Sequence, residues 1–161
     1  MQVGQSREFL PTRLKAKIKA ACATYHLNAK GVIAMSLKTV QTDKAPAAIG
    51  PYSQAVVAPP FVFVSGQLGL DPATGDLVGQ DLERQARQAL ENLNQILLAA
   101  GSNLERTTAV DVFLTDMEQF AAFNAIYAEY FTMHKPARAA IEVSALPKGA
   151  CVEIKCTALV G

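Results

Sequence analysis

Apolar and polar side chains alternate along much of the chain in the way that predicts β-strands. Six stretches have this alternation or a β-branched and aromatic composition: residues 37–42, 51–58, 61–65, 107–114, 137–144 and 151–160. Pro59-Pro60 separates the second stretch from the third, and the sequence LPKG at 146–149 separates the last two. Because proline and glycine interrupt strands and favour turns, we expect a hairpin at each of these breaks.

Two further segments repeat their apolar residues at intervals of three and four, which predicts α-helices. The first runs from Asp81, a suitable N-cap, to Gly101, where a left-handed residue would end the helix. The second is 115–131, opened by Thr115 or Asp116. Its aromatic residues recur at helical spacing and predict a stripe that faces the core: Phe120, Phe123, Tyr127 and Tyr130.

The predicted order β-β-β-α-β-α-β-β indicates an α+β domain over residues 37–161. Its six-stranded, mainly antiparallel sheet would carry both helices on one face. The other face is not fully polar. In residues 61–64 and 151–160, apolar side chains occur at both odd and even positions, so each face of these strands carries some of them. A partner subunit would cover such a face, so the pattern favours an oligomer.

Composition and motifs exclude several kinds of protein. The chain has 161 residues and no apolar run near the ~20 residues that a membrane-spanning helix needs. Its three cysteines, Cys22, Cys151 and Cys156, lack C-x-x-C spacing, so neither a disulfide framework nor a structural zinc site is expected, and reducing surroundings fit best. The P-loop, H-E-x-x-H, G-x-S-x-G and dinucleotide-binding motifs are missing from the sequence, so no cofactor is predicted.

Charge is distributed unevenly between the two ends of the chain. Residues 1–43 carry seven basic and two acidic side chains, whereas residues 44–161 carry eight basic and twelve acidic ones. The basic segment Ser6 to Lys19 resembles a cleavable organellar presequence, although residues 1–36 could equally be a disordered arm. The protein is therefore expected in the cytoplasm, or in mitochondria or plastids if the extension is a presequence. An acidic body does not favour nucleic acid as a partner.

Charged side chains within apolar strands are the strongest candidates for chemistry. Arg138 and Glu153 could form an ion pair with each other, contact another subunit, or form the two ends of a substrate site. Glu142 is an alternative structural partner for Arg138. His134 follows the second helix, where a histidine commonly has a structural role, and it is not predicted to be a base.

Several spaced motifs resemble one known family. The motifs are AAIGPYSQA (47–55), VSGQ (64–67), QARQALEN (85–92), PARAA (136–140) and ALPKGACVEI (145–154). Together they resemble the RidA family, also called YjgF or endoribonuclease L-PSP, whose members are enamine/imine deaminases. The resemblance covers residues 38–161.

The resemblance implies an assembly and a reaction. It implies a homotrimer of chorismate-mutase-like subunits whose sheets line a central barrel, with a cleft between each pair of neighbours. The implied reaction is the hydrolysis of 2-aminoacrylate, 2-iminopropanoate and 2-iminobutanoate to 2-oxo acids and ammonia, which protects pyridoxal-phosphate enzymes. It needs no cofactor.

The resemblance also assigns roles to residues. Arg138 would bind the substrate carboxylate, and Glu153 would hold or activate the hydrolytic water. Both roles fit the chemistry, because a guanidinium binds a carboxylate through two parallel hydrogen bonds and a carboxylate can accept a proton from water. The other implied cleft residues are Tyr52, Ser65, Gly66, Asn124 and Ala140.

The chain departs from the family at two positions of the arginine motif. Lys135 stands where many members have an aromatic residue, and Ala140 where some have a cysteine. Two other functions remain open: an RNA-cleaving or translation-inhibiting protein, and a non-catalytic protein that binds small metabolites or acts as a chaperone.

Overall fold

A computed structural model of the chain describes residues 26–27, 33–34 and 36–161. The chain divides into two units, residues 1–36 and residues 37–161. In the first unit, strands β1 (His26–Leu27) and β2 (Ile33–Ala34) pair antiparallel. The predicted presequence at 6–19 and Cys22 lie outside the described residues.

The second unit is built on the six-stranded sheet that the sequence predicted. Its strands are β3 (Lys38–Val40), β4 (Ala55–Ala58), β5 (Phe61–Leu68), β6 (Thr107–Leu114), β7 (Ala137–Glu142) and β8 (Val152–Leu159). The order across the sheet is β3-β4-β5-β8-β6-β7. All neighbours pair antiparallel except β6 and β7, which are parallel. The predicted six-stranded, mainly antiparallel sheet is therefore confirmed.

The hairpin predicted between the last two strands is wrong. Strand β7 pairs only with β6, at the edge of the sheet, and β8 lies between β5 and β6. The burial of the two strands explains this order. Alternate residues of β8 from Val152 to Ala158 are buried, whereas β7 is exposed at most positions. The more apolar strand occupies the centre of the sheet, where both of its edges are hydrogen-bonded.

Two helices cover one face of the sheet, as predicted. Helix α1 (Leu82–Ala99) begins at the expected N-cap, where the Asp81 carboxylate accepts a hydrogen bond from the Arg84 backbone N–H at 3.0 Å. It ends before Gly101, whose φ of 78° lies in the left-handed region expected there. Helix α2 (Phe120–Tyr130) begins later than predicted, because residues 117–119 form a tighter 3₁₀ turn.

The two faces of the sheet differ in their surroundings. On the helix face, the core consists of buried residues that include Val62, Val110 and Ile154 together with the buried face of α1. On the opposite face several large apolar side chains are exposed in the single chain: Phe61, Phe63, Ile141 and Leu159. No helix in the described part of the chain is long and apolar enough to cross a membrane.

Candidate active site

A cleft of about 460 Å³ opens beside the bulged part of strand β5. Its polar lining includes the predicted site residues Tyr52, Ser65, Gly66 and Glu153. The rest of its wall is largely apolar: Pro46, Ala47, Ile49, Leu68, Leu70 and Pro147. An apolar cleft with a few convergent polar groups is the usual form of a small-molecule site.

A β-bulge at Ser65 and Gly66 brings the backbone of Gly66 close to the carboxylate of Glu153. Between the pairs Val64↔Cys156 and Gln67↔Ile154, two residues of β5 stand opposite Lys155 alone. A side chain at residue 66 would collide with the Glu153 carboxylate, since its Cβ would lie 2.6 Å from the carboxylate carbon. Gly66 therefore provides the space in which this carboxylate lies over the strand.

The buried amide of Gln67 stabilises the bulge. Its Nε2 donates hydrogen bonds to the carbonyl oxygens of Ser65 and Gly66, at 3.0 and 3.1 Å. The Ser65 hydroxyl donates to the carbonyl of Ser53 at 2.7 Å, which ties the bulge to the segment that precedes β4. The hydroxyl proton of Ser65 is thus used within the protein, and its oxygen remains an acceptor at the cleft.

Burial raises the pKa of Glu153 above its ordinary value, and the positive charge of Lys155 partly offsets this rise. Lys155 is itself engaged, since its Nζ lies 3.2 Å from a carboxylate oxygen of Asp111. A glutamate with a raised pKa accepts a proton more readily than one in open water. This property suits a general base in hydrolysis.

The loop that forms one wall of the cleft is held by Gln54, which the sequence analysis did not single out. Gln54 is 3 % exposed, and its Nε2 donates to the carbonyl oxygens of Thr42, Ala45 and Pro46 at 3.0, 3.2 and 2.8 Å. Its Oε1 accepts from the Thr42 backbone N–H at 2.7 Å. The signal for it in the sequence was a glutamine directly before the apolar residues of β4. The same loop carries Tyr52, which is half exposed at the cleft.

Two buried amides of helix α1 support the floor of the cleft. Asn92 donates to the carbonyl oxygens of Leu68 and Leu70, at 3.1 and 2.9 Å. Gln85 accepts from the Cys151 backbone N–H at 2.9 Å and donates to the Gly79 carbonyl at 2.8 Å. These contacts explain the QARQALEN motif, since its first and last residues lie two helical turns apart on the same face.

Arg138 lies apart from this cleft, on the opposite face of the sheet. In the register across the sheet, Arg138 aligns with Val110 and Cys156 on the helix face, whereas Glu153 aligns with Phe113 and Ile141 on the other face. The two charges therefore do not form an ion pair within one chain. None of the salt bridges within residues 36–161 includes Arg138.

The alternative pairing of Arg138 with Glu142 is also not observed. The Glu142 carboxylate instead accepts a hydrogen bond from the Met117 backbone N–H at 2.8 Å, at the start of the 3₁₀ turn before α2. The Arg138 guanidinium lies over the aromatic rings of Tyr127 and Phe120, with its central carbon 4.5 and 5.6 Å from their centroids. No described carboxylate neutralises this cation.

Asn124 and Ala140 lie on the helix side of the sheet with Arg138. Ala140 is two residues from Arg138 on the same strand face, and Asn124 shares a face of α2 with Phe120 and Tyr127 because they are spaced at three and four. The Oδ1 of Asn124 is buried and accepts no hydrogen bond within the described structure. The predicted site residues thus form two groups, the cleft group (Tyr52, Ser65, Gly66, Glu153) and the arginine group (Asn124, Arg138, Ala140).

The described histidine and cysteine side chains show no sign of a nucleophile or base. His134 contacts the Thr107 carbonyl through Nε2 at 2.6 Å, which is a structural role, as the sequence indicated. Burial raises the pKa of Cys156 to about 12 and also raises that of Cys151, so both thiols stay protonated at neutral pH.

Comparison with models of protein families shows which family the chain belongs to. The model of the family described as "Endoribonuclease L-PSP" matches residues 42–160, a range that includes every residue of both groups. The chain belongs to the endoribonuclease L-PSP family. The family suggested by the motifs is thereby confirmed, together with the fold.

Curated members of the L-PSP family match the chain over nearly their whole length. A RutC family protein of Pyrococcus horikoshii is 50 % identical over 121 residues, which are 75 % of this chain and 96 % of the relative. The 2-iminobutanoate/2-iminopropanoate deaminase of Mus musculus is 49 % identical over 124 residues, 77 % of this chain and 92 % of the relative. Among solved structures, E. coli TdcF with bound serine is 38 % identical, with a TM-score of 0.73 over 77 % of this chain and 99 % of that one.

Proposed function

We propose that this chain hydrolyses 2-imino acids, namely 2-iminobutanoate and 2-iminopropanoate, the imine tautomer of 2-aminoacrylate, to 2-oxo acids and ammonia. The observation that carries the proposal is the Glu153 carboxylate, which lies over Gly66 in a largely apolar cleft with its pKa raised by burial. The deaminases among the relatives, such as the mouse protein, support the same reaction.

The reaction needs a positioned water and a group that accepts its proton. Water adds to the carbon of the protonated imine while Glu153 takes one proton from the water, giving a neutral 2-amino-2-hydroxy acid. Glu153 then returns the proton to the amino nitrogen and the carbon–nitrogen bond breaks. Ammonia leaves, and the hydroxyl group gives its proton to Glu153 as it becomes the carbonyl of the 2-oxo acid. Because a protonated imine is already electrophilic, most of the catalytic contribution comes from positioning the water and the substrate.

Arg138 binds the substrate carboxylate, and it reaches the cleft from a neighbouring subunit. Within one chain the cleft group and the arginine group lie on opposite faces of the sheet, so a single subunit does not complete the site. In a cyclic homotrimer each cleft would receive the arginine of the next subunit. The exposed apolar side chains on the open sheet face, including Phe63 and Ile141, give such an assembly a surface to bury.

The serine bound to TdcF is consistent with a site for the carboxylate of a small amino-acid-like molecule. 2-Aminoacrylate arises when pyridoxal-phosphate dehydratases remove water from serine, and this reactive product damages such enzymes. We therefore propose that the biological role of the chain is to remove these imines before they react.

The test is an assay in which a dehydratase acts on serine and the rate of pyruvate and ammonia release is measured with and without the protein. The imine should disappear faster with the wild-type chain. Arg138→Ala should lower kcat/KM by roughly 100-fold or more, because the carboxylate of the bound substrate loses its charged partner. Arg84→Ala is the matched control, since Arg84 is an exposed arginine that contacts Asp81 and does not line the cleft.

The outcomes of this assay separate the three candidate functions. An unchanged imine lifetime would exclude the deaminase. Saturable binding of serine or 2-oxobutanoate without turnover would identify a non-catalytic binding protein. Cleavage of an RNA substrate that survives Arg138→Ala would favour the RNA-directed function.

A further inference from the structure

The Arg138 guanidinium rests on two aromatic rings of helix α2. Its central carbon lies 4.5 Å from the ring centroid of Tyr127 and 5.6 Å from that of Phe120. Both distances are within the range over which the face of an aromatic ring attracts a cation. Phe120 and Tyr127 are seven residues apart, so they lie on one face of the helix; we call this pair the aromatic platform.

Tyr127 of the platform is packed within the core, and Phe120 is partly buried against it. Tyr127 is 8 % exposed, and its ring stacks on Phe131 with centroids 4.4 Å apart and contacts Phe123 at 5.7 Å. Phe123 and Phe131 are themselves buried. Arg138, by contrast, projects from edge strand β7, which is exposed at most positions. Without the platform, this long side chain would be free to adopt many rotamers.

The surroundings leave the platform as the main influence on the direction of the guanidinium. Glu142, the acidic residue of the same strand, is engaged by the Met117 backbone N–H. The Tyr127 hydroxyl is buried and has no hydrogen-bond partner within the described residues. Burial raises the pKa of Tyr127 to about 12, so the phenol is neutral and acts on the cation through its ring. The donor edge of the guanidinium therefore remains available to a ligand.

We propose that Phe120 and Tyr127 are positioning residues, which hold Arg138 in the orientation that binds the carboxylate of the substrate. This inference rests on the proposed function for one point only, namely which molecule supplies the carboxylate. A planar guanidinium that is stacked on a ring presents its N–H groups at its edge, which is the geometry that two-point carboxylate binding requires. The platform thus contributes to affinity for the carboxylate and does not take part in proton transfer.

The test measures the binding of two carboxylate probes, serine and 2-oxobutanoate, by titration calorimetry on the assembled protein. Tyr127→Leu and Phe120→Leu should each raise Kd by roughly tenfold, as expected for loss of a partly desolvated cation–π contact. Tyr127→Phe retains the ring face and should bind within about twofold of wild type. Tyr130→Leu is the matched control, because Tyr130 lies on the same helix and contacts the Arg87 carbonyl instead of Arg138.

The stoichiometry of binding separates positioning from simple destabilisation. A variant that is partly unfolded loses binding sites at an unchanged Kd, whereas a misdirected arginine raises Kd with all sites retained. The kinetic counterpart is a raised KM with kcat little changed. Platform variants that keep the wild-type Kd and KM would overturn the inference, as would probe binding that is insensitive to Arg138→Ala in the wild-type background.

The same measurements distinguish the inference from the proposed function. If the protein has no deaminase activity but binds serine in a manner that depends on Arg138 and Tyr127, the function is wrong and the positioning role stands. If imine hydrolysis is confirmed and the platform variants behave like wild type, the function stands and the positioning role is wrong.

Discussion

Glu153 is the residue whose surroundings bear most directly on the proposed chemistry. It lies on strand β8, whose one other charged residue is Lys155, and the close approach of Gly66 removes part of its contact with water. Loss of hydration disfavours the charged form of a carboxyl group and raises its pKa. The positive charge of Lys155 offsets only part of this rise.

The pH dependence of the reaction should report this carboxyl group. A general base acts only when it is deprotonated, so kcat/KM should fall as the pH is lowered through the pKa of Glu153. Because that pKa is raised, the fall should begin at a higher pH than for a glutamate in water. The measurement is kcat/KM against pH, with the uncatalysed hydrolysis subtracted and the imine-generating enzyme in excess at each pH.

Glu153→Gln provides the control for this assignment. It keeps the size of the side chain and removes the titrating group, so the residual activity should be low and should lack the acidic limb. An acidic limb that persists in Glu153→Gln would show that another group sets the pH dependence. A limb of the wild-type profile centred at the pKa of an ordinary glutamate would contradict the raised pKa of Glu153.

Single residues differed in how readily the sequence revealed them. Arg138 and Glu153 were evident because charged side chains are costly in apolar strands. Gln54, Gln85 and Asn92 were not, because an uncharged amide in a helix or strand usually faces solvent. Their importance depends on which backbone carbonyls lie nearby, and the tertiary structure alone supplies those neighbours.

At the scale of single elements, the bulge in β5 determines the shape of the cleft. The bulge brings Gly66 against the Glu153 carboxylate, and Gln67 holds the carbonyl groups of Ser65 and Gly66 in this arrangement. The sequence VSGQ indicated a strand that ends near residue 65, whereas the strand continues to Leu68. A glycine within a strand is a signal for a bulge, and it was the observation that could have revealed this feature.

Gly66→Ala should separate activity from stability. The added Cβ would meet the flexible end of the Glu153 side chain, which can move aside, so the free energy of unfolding should change by no more than about 1 kcal/mol. The displaced carboxylate would no longer lie where it activates water, and kcat should fall roughly 100-fold. Thermal unfolding and steady-state kinetics measure the two effects.

Gly75→Ala is a useful comparison, because residue 75 has open space around it but a φ of 74°. It should lower stability through backbone strain and leave kcat unchanged. Full activity in Gly66→Ala would contradict the assigned position of the Glu153 carboxylate.

The pairing partner of β7 could not be predicted from the local sequence pattern. Strand composition predicted β7 and β8 individually, and an intervening Pro-Lys-Gly sequence favoured a hairpin. The actual pairing places β6 between them, because α2 connects β6 to β7 as a parallel unit. Strand pairing depends on which strands take the central positions, where both edges are hydrogen-bonded, and that is a property of the whole sheet.

At the scale of the whole molecule, the cleft group and the arginine group lie on opposite faces of the sheet and do not form one site within one chain, so the proposed site needs an assembly of subunits. The open sheet face exposes Phe61, Phe63, Ile141 and Leu159, which a monomer in water would not favour. In the proposed trimer, burial of this face and completion of the site occur together. Activity should therefore depend on subunit association.

Complementation between inactive variants tests this arrangement. Co-expressed Arg138→Ala and Glu153→Gln chains should regain up to about one quarter of wild-type activity, because about that fraction of random neighbours joins an intact glutamate to an intact arginine. The measurement is specific activity of the mixed assembly, with its mass determined by light scattering.

The control mixes Arg138→Ala with the double variant that carries both substitutions. This mixture contains no intact arginine and should remain inactive. If mixed assemblies of the two single variants form and stay inactive as well, the glutamate and arginine of one site do not come from different subunits.

The sequence by itself determined the class of fold, the order of elements, the family and the residue types available for chemistry. These follow from local periodicity, capping residues and short motifs, which are properties of neighbouring positions. The tertiary structure decided the strand order, the bulge at Gly66, the aromatic platform and the placement of Arg138 and Glu153 on opposite faces. Each of these depends on contacts between distant parts of the chain, where burial and backbone hydrogen bonding select one arrangement from several that the local pattern permits.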